Sequence, residues 1–256
     1  PNLARHHDPG HPYPPNALAT QVLQPLADYP GIVSHETLEA GSAEEGLRQA
    51  MAQRQAHVLV LGRRAPIGGG VGAIRLGRVA RRLVRDLPFV VLVVPPDLQP
   101  GQIGSGPVVL ANDPTQPSQD AVRWAARVAE VMGRTLTLVH VLPPVDRRPY
   151  LPPPVQEEIQ AMLHRPEEAF VAWAERSGVG PGVGPIEQVC VEGAPVPALI
   201  AAAQARQACM LVTGSRGLDG VQRLYLASVG TELAATAPLP VALVPRADAD
   251  APIADH

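Results

Sequence analysis

The amino-acid sequence predicts an α/β protein built from two doubly wound parallel sheets, and three observations carry this prediction. One segment occurs twice, because residues 35–62 align without a gap on residues 187–214. Short runs of Val, Leu and Ala, which are typical of buried strands, alternate with segments of helical length. The composition is globular, with 46% hydrophobic and 18% charged residues. Strands that alternate with helices favour parallel sheets with right-handed crossovers.

The repeat is marked mainly by glycine, proline and apolar positions. The matched pairs are Gly41 with Gly193, Leu47 with Leu199, Arg54 with Arg206, Gln55 with Gln207 and Gly62 with Gly214, and beyond the loop Arg78 with Ser228, Pro88 with Pro238, Val91 with Val241 and Pro95 with Pro245. The loop carries two extra residues in the first copy. A repeat of this length indicates two copies of one structural unit.

The second copy contains a complete set of elements for one such unit. Its predicted strands are Pro107–Ala111, Thr135–Val141, Ile186–Val191, Met210–Thr213 and Pro240–Val244. Its predicted helices are Gln119–Met132 (capped by Ser118), Val155–Arg176, Pro197–Gln207 and Ser228–Thr236. Five strands connected in this way predict a flavodoxin-like doubly wound sheet, in which ligands bind beyond the carboxyl ends of the strands.

The first copy contains fewer elements. Its predicted helices are Ala17–Ala27, Ala43–Gln55 and Arg78–Asp86, and its predicted strands are Ile32–Leu38, His57–Leu61 and Phe89–Val94. We therefore expect the first sheet to lack its first two strands, which residues upstream of Pro1 or another chain would supply; we favour the former. The expected organisation is a first domain at 1–97, a linker at 98–105, a second domain at 106–246 and a tail at 247–256.

A glycine turn marks the candidate site in the second copy. Thr213 and Gly214 end a buried strand, and Arg216 and Gly217 follow in the turn. Nine residues later comes the start of the last helix, with the sequence Ala227-Ser228-Val229. A turn of this kind presents backbone N–H groups and a helix N-terminus to one point, which suits an anion such as phosphate. Two other strand ends carry Ala111-Asn112-Asp113 and His140-Val141.

These residues resemble the universal stress protein family in its tandem-domain form. Gly214-x-x-Gly217, nine residues and then a small residue followed by Ser is similar to the pattern of its ATP-binding subgroup. The resemblance implies that Asp113 lies close to a bound nucleoside, that Val141 touches adenine, and that Mg²⁺ accompanies the triphosphate. Ala227 departs from the pattern, which has a third glycine at this position.

The first copy retains little of this pattern. Gly62 is kept, but Ala65 replaces the second glycine and Arg78 stands where Ser228 stands in the second copy. Arg78 could bind a phosphate or could fill the phosphate site. We expect this half to be degenerate or to bind a different ligand.

Three functions follow as hypotheses. The first is an ATP-binding regulatory protein that acts as a binding switch in the stress response and is not an enzyme, since the sequence has no Walker lysine and no catalytic signature. The second is a slow ATP hydrolase on the same fold. The third is a nucleotide-free interaction module, in which Ala227 and Arg78 mark two closed sites.

Composition limits the other partners. The net charge is −3, so no basic excess indicates nucleic acid. No apolar run is long enough to span a bilayer, no signal peptide is visible, and the two cysteines, Cys190 and Cys209, are not expected to form a disulfide, so we expect a cytoplasmic protein. The apolar fifth strands of the two copies are expected to pair across their edges, which gives an intrachain pseudo-dimer, and two chains could associate further as a homodimer.

Several residues keep a structural interpretation beside the functional one. Asp113 could be a turn residue before Pro114, Arg216 a solvated arginine, and His140 a histidine of the core or strand end. Four arginines at helical spacing, Arg78, Arg81, Arg82 and Arg85, are interpreted as a solvated face, with an anionic partner as the alternative. His6, His7 and His11 are interpreted as part of a solvated loop rather than as metal ligands.

Overall fold

A computed structural model describes residues 42–63, 76–113, 118–165, 168–169, 172–173, 186–214 and 229–246. The chain divides into two compact units, Pro1–His57 and Val58–His256. In the first unit, helix α1 (Ala43–Gln53) begins where Ser42 Oγ accepts a hydrogen bond from Glu45 N at 3.2 Å. Glu44 and Glu45 lie in its first turn, where negative charge stabilises a helix N-terminus. The predicted elements Ala17–Ala27 and Ile32–Leu38 lie outside the described residues.

The second unit contains one sheet with seven strands among its described residues. They are β1 (Val58–Gly62), β2 (Val90–Val94), β3 (Val108–Ala111), β4 (Leu136–Leu142), β5 (Ile186–Glu192), β6 (Met210–Gly214) and β7 (Val241–Val244). Their order is β1-β2-β7-β6-β3-β4-β5. Every neighbouring pair is parallel except β2 and β7, which are antiparallel.

The helices of the second unit connect these strands as the sequence predicts. They are α2 (Arg78–Asp86), α3 (Gln119–Val131), α4 (Pro153–His164), α5 (Pro195–Ala205) and α6 (Val229–Thr236), with short 3₁₀ turns at Pro100–Gln102 and Val145–Tyr150. The prediction of one helix from Val155 to Arg176 was wrong, because α4 ends at His164. Arg165 has φ −140 and ψ 62, outside the helical region, and the helical region is disfavoured for a residue that precedes a proline.

Both faces of the sheet are buried, which explains why the strands consist of Val, Leu and Ala. Val109, Val139 and Leu211 lie on one face, in a core shared with residues of α2, α5 and α6. Val108, Leu138 and Val212 lie in the core on the other face, with the alanines of α3. Alternation along each strand therefore decides which helices a side chain contacts.

The doubly wound parallel fold class is confirmed. Counted within the second copy alone, β3 to β7 are strands one to five, and their order is 3-2-1-4-5. From β3 the chain continues to β4 and β5 on one side of the sheet, and later to β6 and β7 on the other side. The switch point therefore lies between β3 and β6. In the first copy, β1 and β2 are the described strands and correspond to β6 and β7.

The expected pairing of the fifth strands is present and joins the two halves into one sheet. Leu92 faces Ala242, and these two residues occupy equivalent positions in the repeat. The flanking pairs, Val91 with Leu243 and Val93 with Val241, are symmetric about that centre. The register therefore has a local twofold relation. The domain boundaries at 97, 105 and 246 stay a prediction.

Candidate functional site

The carboxyl ends of β3, β4 and β6 meet at one edge of the sheet. Ala111 at the end of β3 faces both Val139 of β4 and Thr213 of β6. Val141 follows two residues after Val139, and Asp113 follows two residues after Ala111. The structure thus brings five predicted site residues to the switch point: Ala111, Asp113, Val141, Thr213 and Gly214.

The N-terminus of α3 lies directly against the end of β6. A Cβ built on Gly214 would come within 2.5 Å of Ser118 Oγ and 3.2 Å of Ala121 Cβ, so only glycine fits there. Ser118 is the N-cap of α3, and its Oγ accepts a hydrogen bond from Ala121 N at 3.4 Å. Gly214 is therefore required by helix packing, in addition to any role in the turn that follows.

The N-terminus of α6 approaches the same strand end. A Cβ on Gly230, in the first turn of α6, would lie 3.0 Å from Thr213 Cγ2 and 3.1 Å from Leu243 Cδ2. Thr213 is buried, and its Oγ1 lies 3.4 Å from the carbonyl oxygen of Gly214. Two helix N-termini, each carrying the partial positive charge of its helix dipole, thus flank the end of β6.

Asn112 does not join the other predicted residues. Asn112 lies between Ala111 and Asp113 in the chain, so its side chain points to the opposite face of the sheet. Its Nδ2 donates a hydrogen bond to Nδ1 of His140 at 3.3 Å. Both side chains are buried, His140 being 1% exposed, and its Nε2 has no partner among the described residues. The prediction that His140 is a core or strand-end residue is confirmed. Burial lowers the pKa of His140 to about 4, while a hydrogen bond with the backbone of Asn112 and the charge of Asp113 act in the opposite direction.

Of the other predicted site residues, Val229 is the first residue of α6. Arg216, Gly217, Ala227 and Ser228 lie outside the described residues, as do His6, His7 and His11. Ser118, Gly230 and the pair of Asn112 with His140 were missed as site neighbours by the sequence reasoning. A serine at a helix N-cap position and a glycine in a first helical turn are the sequence signals that could have indicated the first two.

The matching end of the first copy is built differently. A Cβ on Gly62 would meet no atom within 4 Å. The next residue, Arg63, is buried, and its Nη1 donates a hydrogen bond to the carbonyl oxygen of Ala237 at 2.9 Å. In α2, Arg81, Arg82 and Arg85 are exposed, as the solvated-face interpretation expects.

Within the described part of the chain, no group of three or more His, Cys, Asp or Glu side chains is arranged to hold a metal ion. Cys190 and Cys209 are free thiols on β5 and just before β6, which β3 and β4 separate. Cys209 is buried, whereas Cys190 is exposed on strand β5, at one end of the strand order. Among the described helices, none has the length and apolar character needed to cross a membrane.

The fold and this edge together define a doubly wound α/β protein with two helix N-termini at its switch point. Comparison with known proteins refines that class. The model of the universal stress protein family matches residues 9–95 and 105–245, and the chain belongs to this family. The resemblance seen in the sequence is therefore confirmed.

Two similar proteins support this assignment, and one solved structure supports the fold. A universal stress protein of Thermus aquaticus, encoded in the QAH/OAS sulfhydrylase 3′ region, is 34% identical over 137 residues, which cover 54% of this chain and 96% of that protein. A universal stress protein of Mycolicibacterium smegmatis is 28% identical over 226 residues, covering 88% of this chain and 74% of that protein. The crystal structure of a universal stress protein from Archaeoglobus fulgidus has a TM-score of 0.63 at 20% identity, covers 90% of this chain and 79% of its own, and supports the fold.

Proposed function

We propose that this chain is a regulatory protein that binds ATP at the carboxyl ends of β3, β4 and β6 and acts as a binding switch. The observation that carries the proposal is the packing of two helix N-termini against β6, through Ser118 at Gly214 and through Gly230 at Thr213. Helix N-termini favour phosphate oxygens, since their backbone N–H groups and dipoles attract negative charge. Here α3 and α6 bring two of them to the end of β6 from the two faces of the sheet.

Each residue of the crevice has a proposed role. Asp113 accepts a hydrogen bond from the ribose, and Val141 with Ala111 offers apolar contact to adenine. Thr213, Gly214, Arg216 and Gly217 surround the phosphates, together with Ala227, Ser228 and Val229 at the start of α6. These roles follow the family pattern, and the meeting of Ala111, Asp113, Val141 and Thr213 at one sheet edge supports them.

Mg²⁺ fits this site as a companion of the triphosphate. It binds oxygen ligands and is usually held mainly by phosphate oxygens and water. When bound, it would neutralise phosphate charge. The residues of the chain would position the nucleotide, and we propose binding without hydrolysis, because the sequence has no Walker lysine and no catalytic signature.

Binding should alter the surface or assembly of the protein, as a switch requires. We propose the cytoplasm as its location and a homodimer as a further level of assembly. A nucleotide-free interaction module is the second candidate. The sheet that runs without a break from β1 to β5 favours it, because pairing of β2 with β7 needs no ligand.

Calorimetric titration with Mg-ATP, ADP and adenosine tests the proposal. We expect the wild type to bind all three ligands. Asp113→Asn should lower the affinity for each of them by about tenfold, the effect of losing one charged hydrogen bond. Glu130→Gln is the matched control, since this exposed carboxylate pairs with Arg127 at the far end of α3. Its affinities should equal those of the wild type.

Three outcomes would contradict parts of the proposal. A wild type that responds to no adenine nucleotide would favour the interaction module. Unchanged binding by Asp113→Asn would leave Asp113 as a turn residue. Steady phosphate release that disappears in Asp113→Asn would favour the hydrolase.

A further inference from the structure

Arg63 is a buried cation that neither the fold nor the proposed site has so far explained. It follows β1 in the first copy, at the position that Ser215 occupies after β6 in the second. Its side chain is only 6% exposed. Arginine is seldom buried to this degree unless a specific partner holds it.

The partners of Arg63 belong to both halves of the sheet. Its backbone N–H donates a hydrogen bond to the carbonyl oxygen of Val94, at the end of β2, at 2.8 Å. Its Nη1 donates to the carbonyl oxygen of Ala237 at 2.9 Å. Ala237 follows the last residue of α6, and its own N–H bonds to the carbonyl oxygen of Leu233. Arg63 thus places a positive charge at the C-terminus of α6, where the helix dipole favours a cation.

Burying the guanidinium of Arg63 costs free energy, so its contact with Ala237 adds little to the stability of the fold. Burial lowers the pKa of Arg63, and the charge of Asp97 opposes that shift. Nε of the same guanidinium is buried without a partner among the described residues. A buried charge with an unused donor contributes little net stability, and apolar residues of similar volume often replace such groups without loss. The contact therefore indicates a geometric role.

The other end of α6 lies at the candidate site. Val229 begins the helix, and Gly230 packs against Thr213 at the end of β6. The helix has 8 residues, about 12 Å at 1.5 Å per residue, so its two ends are only about two turns apart. Its C-terminus is held by a residue of the first copy and its N-terminus lies at the proposed phosphate position.

We propose that Arg63 is a positioning residue, through which the first copy sets the placement of α6 and thereby the affinity of the second copy for the phosphates of a nucleotide. This inference rests on the proposed function. It gives the degenerate copy a regulatory role, because a ligand or partner that displaces Arg63 from Ala237 would change nucleotide affinity on the other side of the β2–β7 seam.

The test compares Arg63→Met and Arg63→Lys with Arg85→Met as the matched control, since Arg85 lies in the same half and its side chain is 68% exposed. The dissociation constants of Mg-ATP and adenosine are measured by calorimetry at a temperature where circular dichroism shows each variant folded. We expect Arg63→Met to weaken Mg-ATP by about 5- to 150-fold, the usual range of coupling between sites. Adenosine, which has no phosphates, should bind as in the wild type, and Arg63→Lys should restore part of the loss.

A purely structural role would change the melting temperature but not the ratio of the two affinities. An unchanged ratio in Arg63→Met therefore overturns the inference. If Arg63→Met does not fold, the same criterion is applied to Arg63→Lys.

Hydrogen exchange separates this inference from the proposed function. In the folded variants, the amides of α6 should exchange faster than in Arg85→Met, while those of β3 and β4 stay protected. If the wild type binds no nucleotide, the proposed function fails, and faster exchange confined to α6 still supports the positioning of that helix by Arg63. Equal exchange in all variants overturns it.

Discussion

Strands β1 and β6 are equivalent in the repeat and both end in glycine, yet the two glycines serve different purposes. A side chain at Gly214 would overlap Ser118 at the N-terminus of α3, whereas one at Gly62 would meet no atom within 4 Å. The residues that follow also differ, since Arg63 replaces the serine found after Gly214. The repeat thus preserves the strand and helix frame while the chemistry at the strand ends diverges.

The largest expected effect contrasts these two glycines. Gly214→Ala should destabilise the protein by about 3 kcal/mol, because its methyl group must displace the N-cap of α3 in a packed region. Gly62→Ala should change the free energy of unfolding by less than about 0.5 kcal/mol. Urea denaturation of the two variants measures both values. Equal losses would mean that the two strand ends are packed alike.

A smaller effect concerns the pH dependence of stability, which arises from His140 in the second copy. The pKa of His140 is lowered from 6.5 to about 4 in the folded protein, so the unfolded chain binds more protons between these values. The contribution of neutral His140 to the free energy of unfolding is complete above pH 6.5 and is lost as the pH falls toward 4. Between pH 7 and pH 5 we expect a loss of about 2 kcal/mol.

Denaturant titrations across this pH range measure that loss. His140→Gln removes the titrating group and should flatten the profile between pH 7 and pH 5, whatever its stability at pH 7. A wild-type profile that is already flat there would contradict the buried neutral state of His140.

The smallest effect concerns a feature that the two copies share. Gln55 and Gln207 each adopt a positive φ, 48 and 50, just after helices α1 and α5. Glycine is favoured in this conformation, so Gln207→Gly should stabilise the second unit by about 0.5 kcal/mol. Thermal denaturation measures the gain, and Gln204→Gly, inside α5, should destabilise by about 1 kcal/mol as the control.

Most of the fold could be predicted from the sequence. The repeat, the apolar runs and the helix caps predicted every described strand to within about two residues, a margin typical of boundary assignment. The pairing of β2 with β7 followed from their apolar character at sheet edges. The helix predicted from Val155 to Arg176 was the main error, because Pro166 disfavours a helical conformation at Arg165, where α4 ends.

The candidate site could be predicted only in part. The order of the strands placed Ala111, Asp113, Val141 and Thr213 at one edge, as the resemblance implied. Sequence reasoning did not separate Asn112 from this group, although the alternation of a strand turns it toward His140. It also gave no role to Arg63, since its partner Ala237 is far away in the sequence.

The sequence by itself determined the alternation of strands and helices, the duplication and the family, because these depend on local patterns that each segment carries alone. Only the tertiary structure decided that Gly214 packs against Ser118, that Asn112 pairs with His140, and that Arg63 of one copy donates a hydrogen bond to the end of a helix of the other. Such contacts join residues distant in the chain, and their energies depend on burial and distance, which exist only once the sheet has formed.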